Sequence, residues 1–114
     1  MTASKYDFIG KQYLFDFGAE ARYQLDFKSE TELVVTVVAD SFYPSGTVNH
    51  FEIQVALLRD NLVMLTWVEP ATGNTVTHVD DFVNNVAYTN ITDLASKQFW
   101  RLSGTITRLD RMSK

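Results

Sequence analysis

Ala21-Arg22-Tyr23-Gln24-Leu25-Asp26-Phe27-Lys28 alternates apolar and polar residues without a break. Tyr23, Leu25 and Phe27 fall on one face of an extended chain, and Arg22, Gln24, Asp26 and Lys28 on the other. That is a strand with one side buried and one in water. Working outward, runs of β-branched and aromatic residues punctuated by Gly, Pro, Asn, Asp or Ser predict strands at 12–17, 21–28, 32–39, 48–59, 62–69, 75–82, 86–91 and 99–109. The links Gly18-Ala19-Glu20, Arg59-Asp60-Asn61 and Pro70-Ala71-Thr72-Gly73-Asn74 are short enough for hairpins, so consecutive strands pair antiparallel. Of the longer links, one runs from Asp40 to Thr47. The other, from Thr92 to Gln98, predicts one helical turn with Thr92 as its cap and Asp93 in its first turn. A second short helical turn is expected before Gly10. Eight such strands must cover their shared apolar face, and curling into a barrel does so while removing the exposed edges. The expectation is a single all-β domain over 1–114, an eight-stranded antiparallel up-and-down barrel.

Composition narrows the function. The chain has 114 residues and no cysteine, which excludes disulfides, thiolate metal sites and thiol nucleophiles. With 14 acidic residues against 10 Lys and Arg, the net charge of -4 offers no broad basic surface for nucleic acid or an anionic membrane. No stretch is long and apolar enough for a signal peptide or a membrane span, so the expected location is cytoplasmic, and the Asn90-Ile91-Thr92 sequon reads as a strand end. Neither a nucleophile elbow nor a glycine-rich phosphate loop occurs. His78 and Asp80 share a strand face and, with Asp81, could begin a metal site. The expectation is instead a solvated polar strand end, with no metal and no cofactor.

Leu62-Val63-Met64-Leu65-Thr66-Trp67-Val68-Glu69 sets a carboxylate in line with an apolar stripe, because Val63, Leu65, Trp67 and Glu69 share a face. If that face is interior, Glu69 is partly desolvated, its pKa rises, and it can act as a general acid or base. If it is exterior, Glu69 is an ordinary solvated residue before a turn. The other inward candidates are Tyr13, Phe15, Phe17, Tyr23, Leu25, Phe27, Trp100 and Leu102, most of them expected to fill the core. Buried tyrosines need hydrogen-bond partners, so Tyr13 and Tyr23 are expected to meet the Glu69 carboxylate in a mainly hydrophobic interior.

The segment from Ile9 to Phe17, followed by Ala21 to Phe27, resembles the opening hairpin of the phenolic acid decarboxylases and their calycin relatives. Thr66-Trp67-Val68-Glu69-Pro70-Ala71-Thr72-Gly73 is similar to the Trp-Thr-Glu-Pro-Thr-Gly stretch of the same family. The last third, from Thr77-His78-Val79-Asp80-Asp81-Phe82 through Tyr88-Thr89-Asn90-Ile91-Thr92 to Leu102-Ser103-Gly104-Thr105, resembles the small domains related to molybdenum cofactor biosynthesis protein F (MoaF). The resemblance implies a calycin or lipocalin-like barrel with a ligand site inside. It implies for Glu69 the role of the decarboxylase glutamate that assists substrate protonation, and so an inward position. The two substrate-orienting tyrosines of that family fall on Phe15 and Phe17, and its arginine falls near Thr36. An anionic substrate would then face Glu69 without a compensating cation, which argues against phenolic acid decarboxylation.

The function expected is therefore binding of a hydrophobic, aromatic, uncharged small molecule by Tyr13, Phe15, Phe17, Tyr23, Trp67, His78 and Trp100. The rival is a lyase or isomerase using Glu69 as acid and base, assisted by Tyr13, Tyr23 or His78. Leu33-Val34-Val35-Thr36-Val37-Val38-Ala39 is apolar on both faces, so its outer face is expected to be covered, with a homodimer the preferred cover.

Overall fold

A computed structural model describes residues 6–109. They form nine strands: β1 (Gln12–Asp16), β2 (Ala21–Phe27), β3 (Glu32–Asp40), β4 (Val48–Glu52), β5 (Gln54–Arg59), β6 (Leu62–Glu69), β7 (Asn74–Asp81), β8 (Val86–Asp93) and β9 (Gln98–Arg108). All pair antiparallel in one sheet of order β4-β3-β2-β1-β9-β8-β7-β6-β5. The two strands at the ends of that order, β4 and β5, are consecutive in the chain and separated only by Ile53. The sheet therefore curls until its ends meet at one residue, giving a nearly closed barrel.

This junction is where the eight-strand expectation fails. The segment 48–59 is not one strand, because its first half pairs with β3 and its second with β6. A strand serving two walls of a curled sheet has to bend at the corner. At the bend the Ile53 amide donates to the Thr31 carbonyl at 2.9 Å and the Ile53 side chain is buried.

The expected helical turns are also absent among the described residues. The β8–β9 ladder continues through Thr92↔Phe99 to Asp93↔Gln98. Too few residues remain for a helix, so a tight turn closes the hairpin, with Lys97 at φ 61° and the Lys97 amide donating to the Leu94 carbonyl at 3.1 Å. Thr92 is thus a strand residue. Before Gly10 two successive turns replace the expected helix, Ile9 N to Tyr6 O and Lys11 N to Phe8 O, both at 3.2 Å. Gly10, at φ 85°, then donates to the Phe27 carbonyl and pins this segment across the barrel end.

Alternation fills the interior. Phe15, Leu25, Phe27, Leu33, Val63, Leu65, Val76, Ala87 and Ile106 are buried, and Phe8 joins them from the amino-terminal turns. Phe8 stacks on Phe82 at 5.1 Å and meets Phe27 edge-on at 4.8 Å, while Tyr13 packs on Phe82 at 5.0 Å. These rings plug one end of the barrel.

Gly104 permits the closest approach in the wall. A Cβ there would lie 2.1 Å from the Asp16 carbonyl oxygen, so only glycine lets β1 run against β9 at that level. Beyond it β9 pairs with β8 alone, because β1 reaches only residues 105–108. The β8–β9 hairpin consequently projects past the barrel wall. Among the described residues no helix is long and apolar enough to cross a membrane.

Candidate functional site

Period-two alternation on β7 turns Val76, His78 and Asp80 inward and leaves Thr75, Thr77, Val79 and Asp81 outside. His78 is 5% exposed and Asp80 fully buried, with His78 Nδ1 and Asp80 Oδ1 3.2 Å apart. The expectation of a solvated polar strand end is corrected: the curl of the sheet encloses this face. Asp81 lies on the opposite face, where it accepts hydrogen bonds from the Val83 and Asn84 amides and the Asn84 side chain, which hold its pKa below the usual carboxylate range. His78, Asp80 and Asp81 therefore do not converge, and no group of three metal-ligating side chains occurs among the described residues.

Three aromatic rings surround the His78 imidazole. Trp67 lies at 5.0 Å between ring centroids, Phe15 at 5.6 Å and Phe17 at 5.8 Å. Phe51 of β4 stacks on the far side of Trp67 at 5.6 Å. Thr89 on β8 faces the same interior directly across the ladder from His78. Asp80 Oδ2, Thr89 Oγ1 and Trp67 Nε1 are buried and find no hydrogen-bond partner in the protein. Burial pushes the Asp80 carboxyl up, a shift that the neighbouring His78 only partly offsets.

Glu69 is the next inward position after Trp67 on β6 and is half-buried. Its pKa is raised chiefly by burial, with the charge of Asp40 adding to the effect. A Thr72 hydroxyl at 3.5 Å from Oε1 and the nearby Trp67 indole N–H work the other way. The indole nitrogen points toward this carboxylate without reaching hydrogen-bond geometry. The Tyr23 hydroxyl donates to Asp40 Oδ2, and burial together with that bond and the Asp40 and Glu69 charges pushes its pKa well up. Asp40 Oδ1 accepts from the amides of Phe42 at 2.7 Å and Tyr43 at 3.2 Å. Asp40, Tyr23 and Glu69 thus form the mouth of the barrel above Trp67, at the end opposite the aromatic plug.

Of the residues expected at the site, Phe15, Phe17, Tyr23, Trp67, Glu69 and His78 are brought together. Tyr13 is not: it sits in the plug, its pKa raised mainly by burial, with Arg108 and Asp7 as its charged neighbours. The expected meeting of two phenols with Glu69 is corrected to one, Tyr23. Trp100 holds an inward register position opposite Ile91, but it lies on the projecting part of β9 and is 39% exposed. Asp40, Phe51 and Thr89 join the site without having been singled out from sequence. Alternation from Ala87 would have found Thr89, whereas nothing local marks Asp40 or Phe51. Thr36 faces outward on β3, between Val35 and Val37 of the core, so the lack of a cation inside does not depend on that position. Among the described residues no Lys or Arg is buried, and neither Asp40 nor Glu69 has an ion-pair partner. A separate surface groove lined by Lys28, Thr31, Glu32, His50 and Glu52 lies over β3 and β4 and shares only Phe51 with this cluster.

The model of the MoaF-like family matches residues 9–107. No curated protein matches the chain. Among solved structures, the barrel is similar to that of a "putative beta-lactamase" from Burkholderia vietnamiensis, with a TM-score of 0.81, 20% sequence identity, and coverage of 94% of this chain and 100% of the other. At that identity the likeness concerns the fold alone.

Proposed function

The chain belongs to the MoaF-like family, and we propose that its barrel is a binding site for a hydrophobic small molecule whose aromatic, uncharged body lies among Phe17, Phe51, Trp67 and Tyr23. One observation carries this reading: three aromatic rings surround His78, and on the inward face beside it Asp80 Oδ2 and Thr89 Oγ1 are buried without a hydrogen-bond partner among the described residues. Buried polar groups without partners are costly, and a mainly apolar site with a few such groups is the usual composition of a small-molecule pocket. An anion is disfavoured, since among the described residues the carboxylates of Asp40, Glu69 and Asp80 have no Lys or Arg beside them. Native mass spectrometry of the purified protein tests the reading. The expected result is a non-covalent adduct, retained from purification or taken up from an aromatic compound library, and a bare chain under both conditions speaks against it.

A second reading is supported by the raised pKa of Glu69 beside the hydroxyls of Thr72 and Tyr23, which suits a lyase or isomerase using Glu69 as general acid and base. The proposal also takes the protein to be cytoplasmic, in keeping with the absence of cysteine, and homodimeric. Exposed Val38, Met64, Val68 and Tyr88 on the outer wall supply apolar surface for a dimer, and light scattering reports its presence.

A further inference from the structure

Two carboxylates face the barrel mouth, and among the described residues no cation acts on them. Asp40 lies close enough to Glu69 for its charge to oppose ionisation there, and no Lys, Arg or His is among the groups acting on Glu69 or on Tyr23. Asp40 is fixed in place. One of its oxygens accepts the Tyr23 hydroxyl and the other the Phe42 and Tyr43 amides, three hydrogen bonds that leave it little freedom. Glu69 is held only by the long Thr72 contact and keeps most of its acceptor capacity. Directly beneath it, the almost wholly buried Trp67 turns an unpartnered indole N–H toward the same carboxylate. Next to them the interior is aromatic, with Phe51 stacked on Trp67 and Phe17 packed against His78.

We propose that the ligand of this barrel carries a protonated amine, received by Glu69 within the field of Asp40, while its aromatic body packs against Trp67 and Phe17. The inference rests on the binding function proposed above and names its ligand class. An ammonium supplies the positive charge that the two carboxylates lack and donates to Glu69. A neutral hydroxyl would make one of those hydrogen bonds but leave the two negative charges facing each other. A carboxylate would add a third.

The test compares 2-phenylethylamine, 2-phenylethanol and 3-phenylpropanoate, which share a phenyl body and differ in the charge at the end of the chain. Binding is read from Trp67 emission in a chain carrying Trp100→Phe. The amine is expected to bind at least about tenfold more tightly than the alcohol, and the propanoate most weakly. Glu69→Gln and Asp40→Asn should each remove most of the amine's advantage over the alcohol. Both keep acceptor oxygens, and their melting temperatures establish that the barrel is intact. Added salt should weaken the amine and not the alcohol. An alcohol that binds as tightly as the amine, or an advantage that survives Glu69→Gln in a folded barrel, overturns the amine assignment while leaving the aromatic-ligand function standing. Binding of none of the three overturns both.

Discussion

His78 Nδ1 lies 3.2 Å from Asp80 Oδ1 in the interior of the barrel, and both residues are set there by adjacent inward positions on β7. Among the described residues His78 is the one charged neighbour acting on Asp80, and the second carboxylate oxygen is unpartnered. Desolvation therefore governs it. A carboxyl whose folded-state pKa is raised binds its proton more tightly folded than unfolded. Ionisation of Asp80 then costs stability above that pKa, and the cost vanishes as pH falls below the unfolded value. Asp80→Asn keeps a hydrogen-bond partner for His78 Nδ1 and removes the charge. It should raise the unfolding free energy at pH 7 by about 1 kcal/mol or more, and the gain should close on acidification. Asp80→Ala, which leaves His78 Nδ1 without its partner, should instead lower it by about 1–3 kcal/mol. Denaturant melts across the pH range check both signs.

Tyr23 links β2 to the end of β3 through Asp40. Tyr23→Phe deletes a hydrogen bond to a charged acceptor and should destabilise the protein by about 1.5–3 kcal/mol. In an alkaline absorbance titration the Tyr23 phenol should ionise after that of Tyr13, and Tyr23→Phe should remove that later step.

Gly104 faces the Asp16 carbonyl at a distance no Cβ tolerates. Gly104→Ala must separate β1 from β9, where the barrel wall is closed by only four residue pairs. A loss of about 3 kcal/mol or more is expected, with Thr105→Ala on the outer face as the near-neutral control. Thermal melts distinguish the two.

Phe8 plugs the end opposite the site. Phe8→Ala should cost about 3–5 kcal/mol in stability while leaving affinity for an aromatic ligand unchanged, because no ring of the plug reaches the mouth. Parallel melts and binding titrations separate these effects.

Much of this was legible in the sequence because barrel strands obey a period of two. Apart from 48–59, the predicted strands end within two residues of the observed ones. The same alternation put Trp67 and Glu69 on one face of β6 but left open whether that face is inward; only the family resemblance implied the inward direction that β6 takes. Alternation could not reveal the corner at Ile53, since a bend between two pairing partners leaves no break in a run of β-formers. Nor could it separate Tyr13 from Tyr23: both point inward, and the end each occupies follows from ladder register and from the amino-terminal turns that cap one end. His78 and Asp80 looked like a wet strand end because polarity alone says nothing of enclosure. Asp40 was hidden for a different reason, as its role depends on Tyr23 and Glu69 arriving from distant strands. Trp100 keeps the inward phase of β9, but the hairpin outruns the barrel there, and strand length carries no sign of where a neighbour stops.

The claim that matters most is that the ring cage at Trp67 receives a ligand. With Trp100→Phe leaving Trp67 as the remaining indole of the chain, emission can be titrated against a panel of small aromatic compounds. A saturable spectral shift, abolished when Phe17→Ala opens the cage, is the predicted outcome. Emission that stays constant across the whole panel, amines included, while the barrel remains folded would contradict the account.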